Sequence, residues 1–325
     1  MTVTVNCTTV SPARATTVRS LLPTQLSTHA QPSKWWSAAL LGGVLWRGFT
    51  HIKTHREVLR FLLRFPPFTE FVFSNPSFTC KYLTQNYLVR GFTVAERATC
   101  FLYHYKRLLS ALPDSLLSQT LREDVTIHAI PEGSNRYALT MGMSRPSYNE
   151  GELSLNLRVD GEIVYILSFT IVPGWMIKSQ AAEILLITRL QGVKGAYPPI
   201  SYATKTLHDV APGALLFAAL QGVADAFGIG EIAAVSGARQ SYYCEDDAAA
   251  FKEAYDDFFT ELGISKSATG FFHILLPFQE KPLAFIKQGH KIRTREKRAF
   301  KQQIKLACAG FFEQYAPDAS RKLPV

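Results

Sequence analysis

Three stretches of this sequence carry side chains whose types and spacing could do chemistry. Glu150 and Glu152 flank Gly151. Two positions apart on a strand, their side chains share one face. Neighbouring carboxylates repel, which splits their proton affinities and lets one act as acid and the other as base. The plainer reading is a solvated strand start paired with Arg158 or Lys205. The second stretch is Gln191-Gly192-Val193-Lys194-Gly195-Ala196. Its glycines let backbone N–H groups approach a phosphate. In the third, Thr204, Lys205 and His208 offer an ammonium for a phosphate and an imidazole for the proton of an attacking amine. A turn with both side chains in water is the alternative. The expected catalytic residues are Glu152 and His208. The expected cofactor-binding residues are Gln191, Gly192, Gly195 and Lys205, and no metal set is expected. His104, Tyr242, Tyr243 and Tyr255 read first as packing residues, although a tyrosine can protonate a leaving thiolate.

These groups need elements to hold them. Leu153, Leu155, Leu157 and Val159 alternate with polar residues, the period of a half-buried strand. Asp160-Gly161 is a tight-hairpin signal, and residues 163–172 return as a second strand. Residues 183–190 form a third strand, ending at Gln191-Gly192. Val125–Ile130 and Tyr137–Met143 precede them as two more strands. After 192 a loop is expected over residues 193–204, then a helix from Pro212 closed by Gly228. A strand at residues 231–236 follows, then a helix at 248–262, a strand at 269–276 and a basic helix at 293–312. Strand, helix, strand in this order implies a parallel pair. Upstream, Leu59, Leu62 and Leu63 share a helix face that Pro66-Pro67 stops. Thr93 to Glu96 reads as a capping box opening another helix, on which Arg97, Lys106 and Arg107 are expected to stay in water and His104 to be half-buried.

The fold class expected is α/β (α+β): a mixed central sheet, an antiparallel meander followed by one βαβ unit, with an N-terminal helical part. That order is similar to the GNAT fold, and the loop at Gln191 resembles the GNAT loop that holds coenzyme A, one residue longer. Acyl-coenzyme A is the cofactor this suggests. The expected organisation is a disordered tail over 1–33, a helical part over 34–120, an α/β core over 121–312 and a tail over 313–325.

The chain has 325 residues, enough for a full core, and carries a formal charge of +9. The surplus is concentrated: residues 287–305 hold eight Lys/Arg and one acid, Glu296. An anionic lipid or a protein partner is the expected match for that segment, with nucleic acid a weaker one because no recognised module accompanies it. Five widely spaced cysteines, without a CxxC pair, give no disulfide framework or zinc signature. No apolar run reaches bilayer-spanning length. The expected location is cytoplasmic, or peripheral at the inner membrane.

Several motifs occur together and in order: HYKRLL at His104, EGELSLNL at Glu150, YILSFT at Tyr165, ITRLQG at Ile187, ATKTLHDVAPGALL at Ala203, GEIAAVS at Gly230, YDDFFTELG at Tyr255 and REKRAFKQQ near the end. In these the chain resembles the VirK/YbjX family of bacterial proteins, from about Trp35 to Gly310. The resemblance implies a Gram-negative protein linked to virulence, envelope stress or stress response, cytoplasmic or membrane-associated, with no established reaction. Four positions depart from the family pattern. Thr188 and Asp209 stand where glycine is usual, Ala211 where arginine is, and Gln240 where histidine is often found.

Overall fold

A computed structural model describes residues 35–131, 133–144 and 149–315, with side chains from residue 42 onward. The expected tail over 1–33 lies outside the described residues, as does most of the one over 313–325. The architecture is mixed α+β, with helices around a seven-stranded mixed sheet in the order β1-β2-β3-β4-β5-β6-β7. The strands are β1 (Val125–Ile130), β2 (Tyr137–Met143), β3 (Leu153–Val159), β4 (Glu162–Pro173), β5 (Glu183–Gly192), β6 (Glu231–Val235) and β7 (Phe271–Leu275). Every neighbouring pair is antiparallel except β5 with β6. The meander and the single βαβ unit are therefore present. The β3–β4 turn has the geometry its sequence demands, with φ of +52° at Asp160 and +93° at Gly161.

Helices α1 (Trp35–Thr50), α2 (Ile52–Arg64), α3 (Pro66–Ser74), α4 (Val94–Ala111) and α5 (Asp114–Arg122) form the N-terminal part. The helix α4 opens with the expected capping box, Thr93 accepting from the Glu96 backbone while Glu96 reaches back. Pro66-Pro67 does end α2, but it also begins α3 as its first turn, where a missing donor costs nothing. Arg97 corrects the expectation of a wet helix face: it is buried, and donates to the Thr84 carbonyl.

Parity along the strands sorts the layers. Leu157 and Tyr165 are cross-strand partners, and a Cβ at Gly213 of α7 (Pro212–Phe227) would lie 3.3 Å from the Tyr165 hydroxyl. Asn156 and Arg158 point the other way and donate to Asp124, just past α5. So α7, with α10 (Lys291–Glu313) packed on it, covers one face, and the N-terminal helices cover the other. Among the described residues no helix is long and apolar enough to cross a membrane.

The expected loop over 193–204 is corrected by α6 (Tyr197–Thr206), which starts on Pro198-Pro199. The helix expected at 248–262 is interrupted. α8 (Ala248–Phe251) and α9 (Asp257–Glu261) are separated by a π turn, Lys252–Asp256. Such turns often sit where a helix serves a site.

Candidate functional site

The parallel pair β5–β6 diverges early. Only Leu185, Leu186 and Ile187 of β5 face β6, at Ile232, Ala233 and Ala234. From Thr188 to Gly192, β5 continues without that partner. The divergence begins at a bulge, because Ser168 of β4 pairs with Arg189 and Phe169 with Ile187, leaving Thr188 as the extra residue.

Polar groups fill the space this opens. The Thr188 hydroxyl donates to the Glu150 carbonyl at 2.6 Å, and the Thr188 carbonyl accepts from Gln240 Nε2 at 2.6 Å. Gln240 is fully buried and reaches toward Glu150 Oε1 at 3.5 Å. Arg189, also buried, has Nη1 at 3.6 Å from Glu150 Oε2. With its amide turned to suit the donors, the Gln191 side-chain oxygen accepts from Arg189 Nε and Nη2, each at 2.9 Å. Tyr255, on the π turn, contacts Gln240 and Glu150; burial first, then the Glu150 charge, pushes its phenol well above the usual range. Asp256 fixes that turn by accepting from the Gly237 N–H at 2.6 Å and from Lys266 at 2.9 Å.

Three buried donors in and after these strands have no hydrogen-bond partner among the described residues: Arg189 Nη1, Ser236 Oγ and Arg239 Nε. Buried polar groups are normally paired, so a cluster of orphans is a place that can accept hydrogen-bond acceptors from a ligand. The Arg239 guanidinium lies 5.2 Å above the Phe271 ring. Nearby, Arg90 lies 5.0 Å above Tyr243 and donates its backbone N–H to the Arg239 carbonyl.

The residues singled out from sequence are divided among separate places. Gln191 belongs to the cluster just described. Gly192 lies in the β4–β5 ladder opposite Tyr165, and a Cβ there would come within 2.8 Å of Ile200 in α6. Gly195 makes a turn with φ of +86°, its Cβ direction open. The helix following this loop is a poor phosphate cradle: Pro198 and Pro199 have no N–H, and Ile200 donates to the Ala196 carbonyl. Lys205 is exposed on the last turn of α6. His208 packs against Phe300 of α10 with the rings tilted by 44° and their centroids 4.7 Å apart. Glu150 and Glu152 do not lie side by side, since Gly151 has φ of +135° and sends them to different partners. Glu152, Gln191 and His208 therefore do not share one hollow.

Residues 44–309 match the protein family described as "Protein of unknown function (DUF535)". The chain belongs to that family. No curated protein and no solved structure matches it. His208 and Asp209 both have φ of +54°, the left-handed region that favours glycine. Here Asp209 pairs with Arg293 at 2.6 Å.

Sequence reasoning passed over Lys81, on the 3-10 segment Pro76–Leu83. In the DUF535 fold Lys81 is buried and pairs with fully buried Glu152 at 2.9 Å. Tyr87 and Tyr105 also donate to Glu152. Burial, then the Glu152 charge, pushes both phenols well above their ordinary range. Burial pushes the Lys81 ammonium down, against the pull of Glu152.

His104 is fully buried rather than half-buried, and its Nδ1 accepts from the Ile171 N–H at 3.0 Å. Burial, then the Lys81 charge, holds it well below the ordinary histidine range, and burial lowers His55 too. The unfolded chain takes up these protons near pH 6.5 and the folded chain does not. Stability is therefore fully present above about pH 6.5 and falls as pH drops below it. The slope approaches roughly 1.4 kcal/mol per pH unit for each such histidine. Urea unfolding from pH 7.5 to 5.5 reads this slope, which His104→Gln should reduce. An unchanged slope would place the proton uptake elsewhere.

Proposed function

We propose that this protein binds a phosphate-bearing acyl carrier, such as acyl-coenzyme A, where β5 and β6 diverge, and transfers the acyl group. The observation that carries the reading is the short parallel pairing. β5 runs on for five residues past its last β6 partner, beside buried Arg189, Gln240, Glu150 and Tyr255. A strand edge that has lost its neighbouring strand can hydrogen-bond an amide-containing cofactor arm, and the strand order is similar to that of GNAT-type acyltransferases. Fold likeness alone does not make an enzyme; the residues at the divergence carry the chemistry.

In this reaction an amine or hydroxyl attacks the thioester carbonyl. The new bond to carbon forms, the carbon–sulfur bond breaks, and the thiolate leaves. Glu150 accepts the nucleophile's proton and Tyr255 supplies one to the sulfur. Arg189 and Gln191 bind rather than react. Gln240 occupies the Thr188 carbonyl and swings away when the cofactor arm enters.

Calorimetry with acetyl-coenzyme A tests the reading. Arg189→Gln should weaken binding by about tenfold or more, the loss of a charged hydrogen-bonding partner. Tyr255→Phe should keep binding and lower turnover by about 10²-fold or more. Absence of binding at millimolar ligand rejects it.

One feature favours a second reading, in which the protein is a non-catalytic accessory linked to virulence or stress response, peripheral at the inner membrane. The basic segment 287–305 presents exposed Lys287, Arg293 and Arg295 to solvent, while Phe300 and Ile304 anchor it to the core. It would then meet anionic envelope lipid or a protein partner. Flotation with anionic vesicles is expected, and its absence at low salt rejects this reading.

A further inference from the structure

The start of α10 and the 3-10 turns before it, Leu283–Phe285 and Gln288–His290, surround a pocket of about 440 Å³. Lys287, His290, Arg293 and Lys297 line it with Thr294, and Phe285 and Ile286 form its apolar side. No carboxylate lines it. Three other cations of this helix are neutralised, since Arg298 and Lys301 both pair with Glu280 and Lys305 pairs with Asp225 at 2.8 Å, while Lys291 and Arg295 lie outside the pocket lining. Lys287 and Lys297, by contrast, have no carboxylate within ion-pair distance among the described residues. Arg293 is oriented by Asp209, which accepts from its Nε at 2.8 Å. Partial burial and then the nearby Arg293 charge push the Lys297 ammonium down, against the opposing pull of Asp209.

This arrangement separates the pocket from an ordinary solvated face. Four nitrogen-bearing side chains and a hydroxyl converge on one concavity that no carboxylate lines. Phosphate oxygens match those donors. The rim adds a second property. Phe285 is 70% exposed and Ile292, the second residue of the helix, is 72% exposed. Exposed apolar side chains beside a cationic floor suit an anion that carries hydrocarbon.

We propose that this pocket binds the phosphate group of an anionic phospholipid, with Lys287, Arg293, Thr294 and Lys297 holding the phosphate and Phe285 meeting the adjoining hydrocarbon. The proposal deepens the second functional reading and rests on it, but is independent of the acyl-transfer reading.

The test is co-sedimentation of the full chain with vesicles of phosphatidylcholine containing phosphatidylglycerol, at fixed salt. Lys287→Glu with Lys297→Glu should weaken binding by about tenfold or more. Lys291→Glu with Arg295→Glu changes the same net charge outside the pocket and should weaken it by less than about threefold. Phe285→Ser should weaken vesicle binding while leaving unchanged the binding of glycerol phosphate followed by calorimetry. Equal loss in the two charge-reversed pairs overturns the pocket and leaves only diffuse attraction of the segment. Binding of glycerol phosphate that depends on Lys287 and Lys297, without vesicle binding, keeps the phosphate site and assigns it to a soluble phosphate ester. Binding of neither overturns the site. Unchanged helical circular dichroism in each variant excludes misfolding as the cause.

Discussion

Replacing Lys81 by methionine is expected to lower the stability of the protein by about 3–5 kcal/mol, the cost of leaving a buried charge without its partner. Glu152 has no exposed surface, and its donors come from three separate segments: Lys81, Tyr87 and Tyr105. Once the ammonium is gone, two phenols remain, and neither brings a positive charge. The carboxylate must then stay ionised in an apolar setting or take up a proton, and either course costs stability. Urea unfolding at pH 7.5 measures the loss. The double variant Lys81→Met with Glu152→Gln removes the stranded charge and should recover about half or more of it, because a pair deleted together costs less than a pair broken. A single variant within about 1 kcal/mol of the parent would mean that Glu152 is already neutral in the native state.

That ion pair also explains why Glu152 looked catalytic in the sequence. A glutamate beside a glycine and two positions from a second glutamate has the composition of an acid–base pair. What the sequence conceals is the partner, 71 positions away on a 3-10 segment with no apolar period to announce it. The backbone adds a second concealment. Alternation holds from Leu153 onward, but Gly151 with φ of +135° breaks it just before, so the two carboxylates separate. The strands, by contrast, were legible because period-two alternation is local and the buried face is long. The capping box at Thr93 and the C-cap at Gly228, with φ of +68°, were legible for the same reason.

The double prolines conceal a second role. Proline ends a helix when it falls inside one and begins a helix when it falls in the first turn, and the two residues look the same in either role. Pro66-Pro67 does both at once, and Pro198-Pro199 opens a helix where a loop was expected. The second case matters for the site. A helix N-terminus directly after a glycine loop ordinarily favours a phosphate, yet these prolines remove two of the donors it would use. The groups left to bind a ligand are therefore Arg189, Gln240 and Tyr255, none of which its spacing in the sequence marks for binding. They converge because a bulge at Thr188 and a π turn at Lys252–Asp256 bring two otherwise distant segments to the end of one parallel pair. Both irregularities are single-residue departures from regular period, too small for pattern reading to register.

The helix pair that carries the basic segment depends on one small residue. A methyl group at Gly222, in the middle of α7, would lie 2.2 Å from the Lys305 carbonyl oxygen and 3.0 Å from Cys308 Cβ. The first obstacle is backbone, so no rotamer change relieves it. Gly222→Ala must push α10 away from α7, and α10 brings Ile304, Cys308 and Phe312 into the core. Alanine's better helix propensity returns about 1 kcal/mol. Overpacking of this kind typically costs about 1–3 kcal/mol, more when the backbone has to move. The clash therefore wins, and the net loss should reach about 2 kcal/mol or more once lost burial under α10 is added. A lower unfolding midpoint, with faster proteolytic cleavage within residues 283–300, is the expected result. It follows that the basic pocket, formed where α10 begins, should lose vesicle binding in this variant even though every cation remains in place. A variant as stable as the parent, with α10 still protected, would mean that the two helices slide past each other without losing their contact.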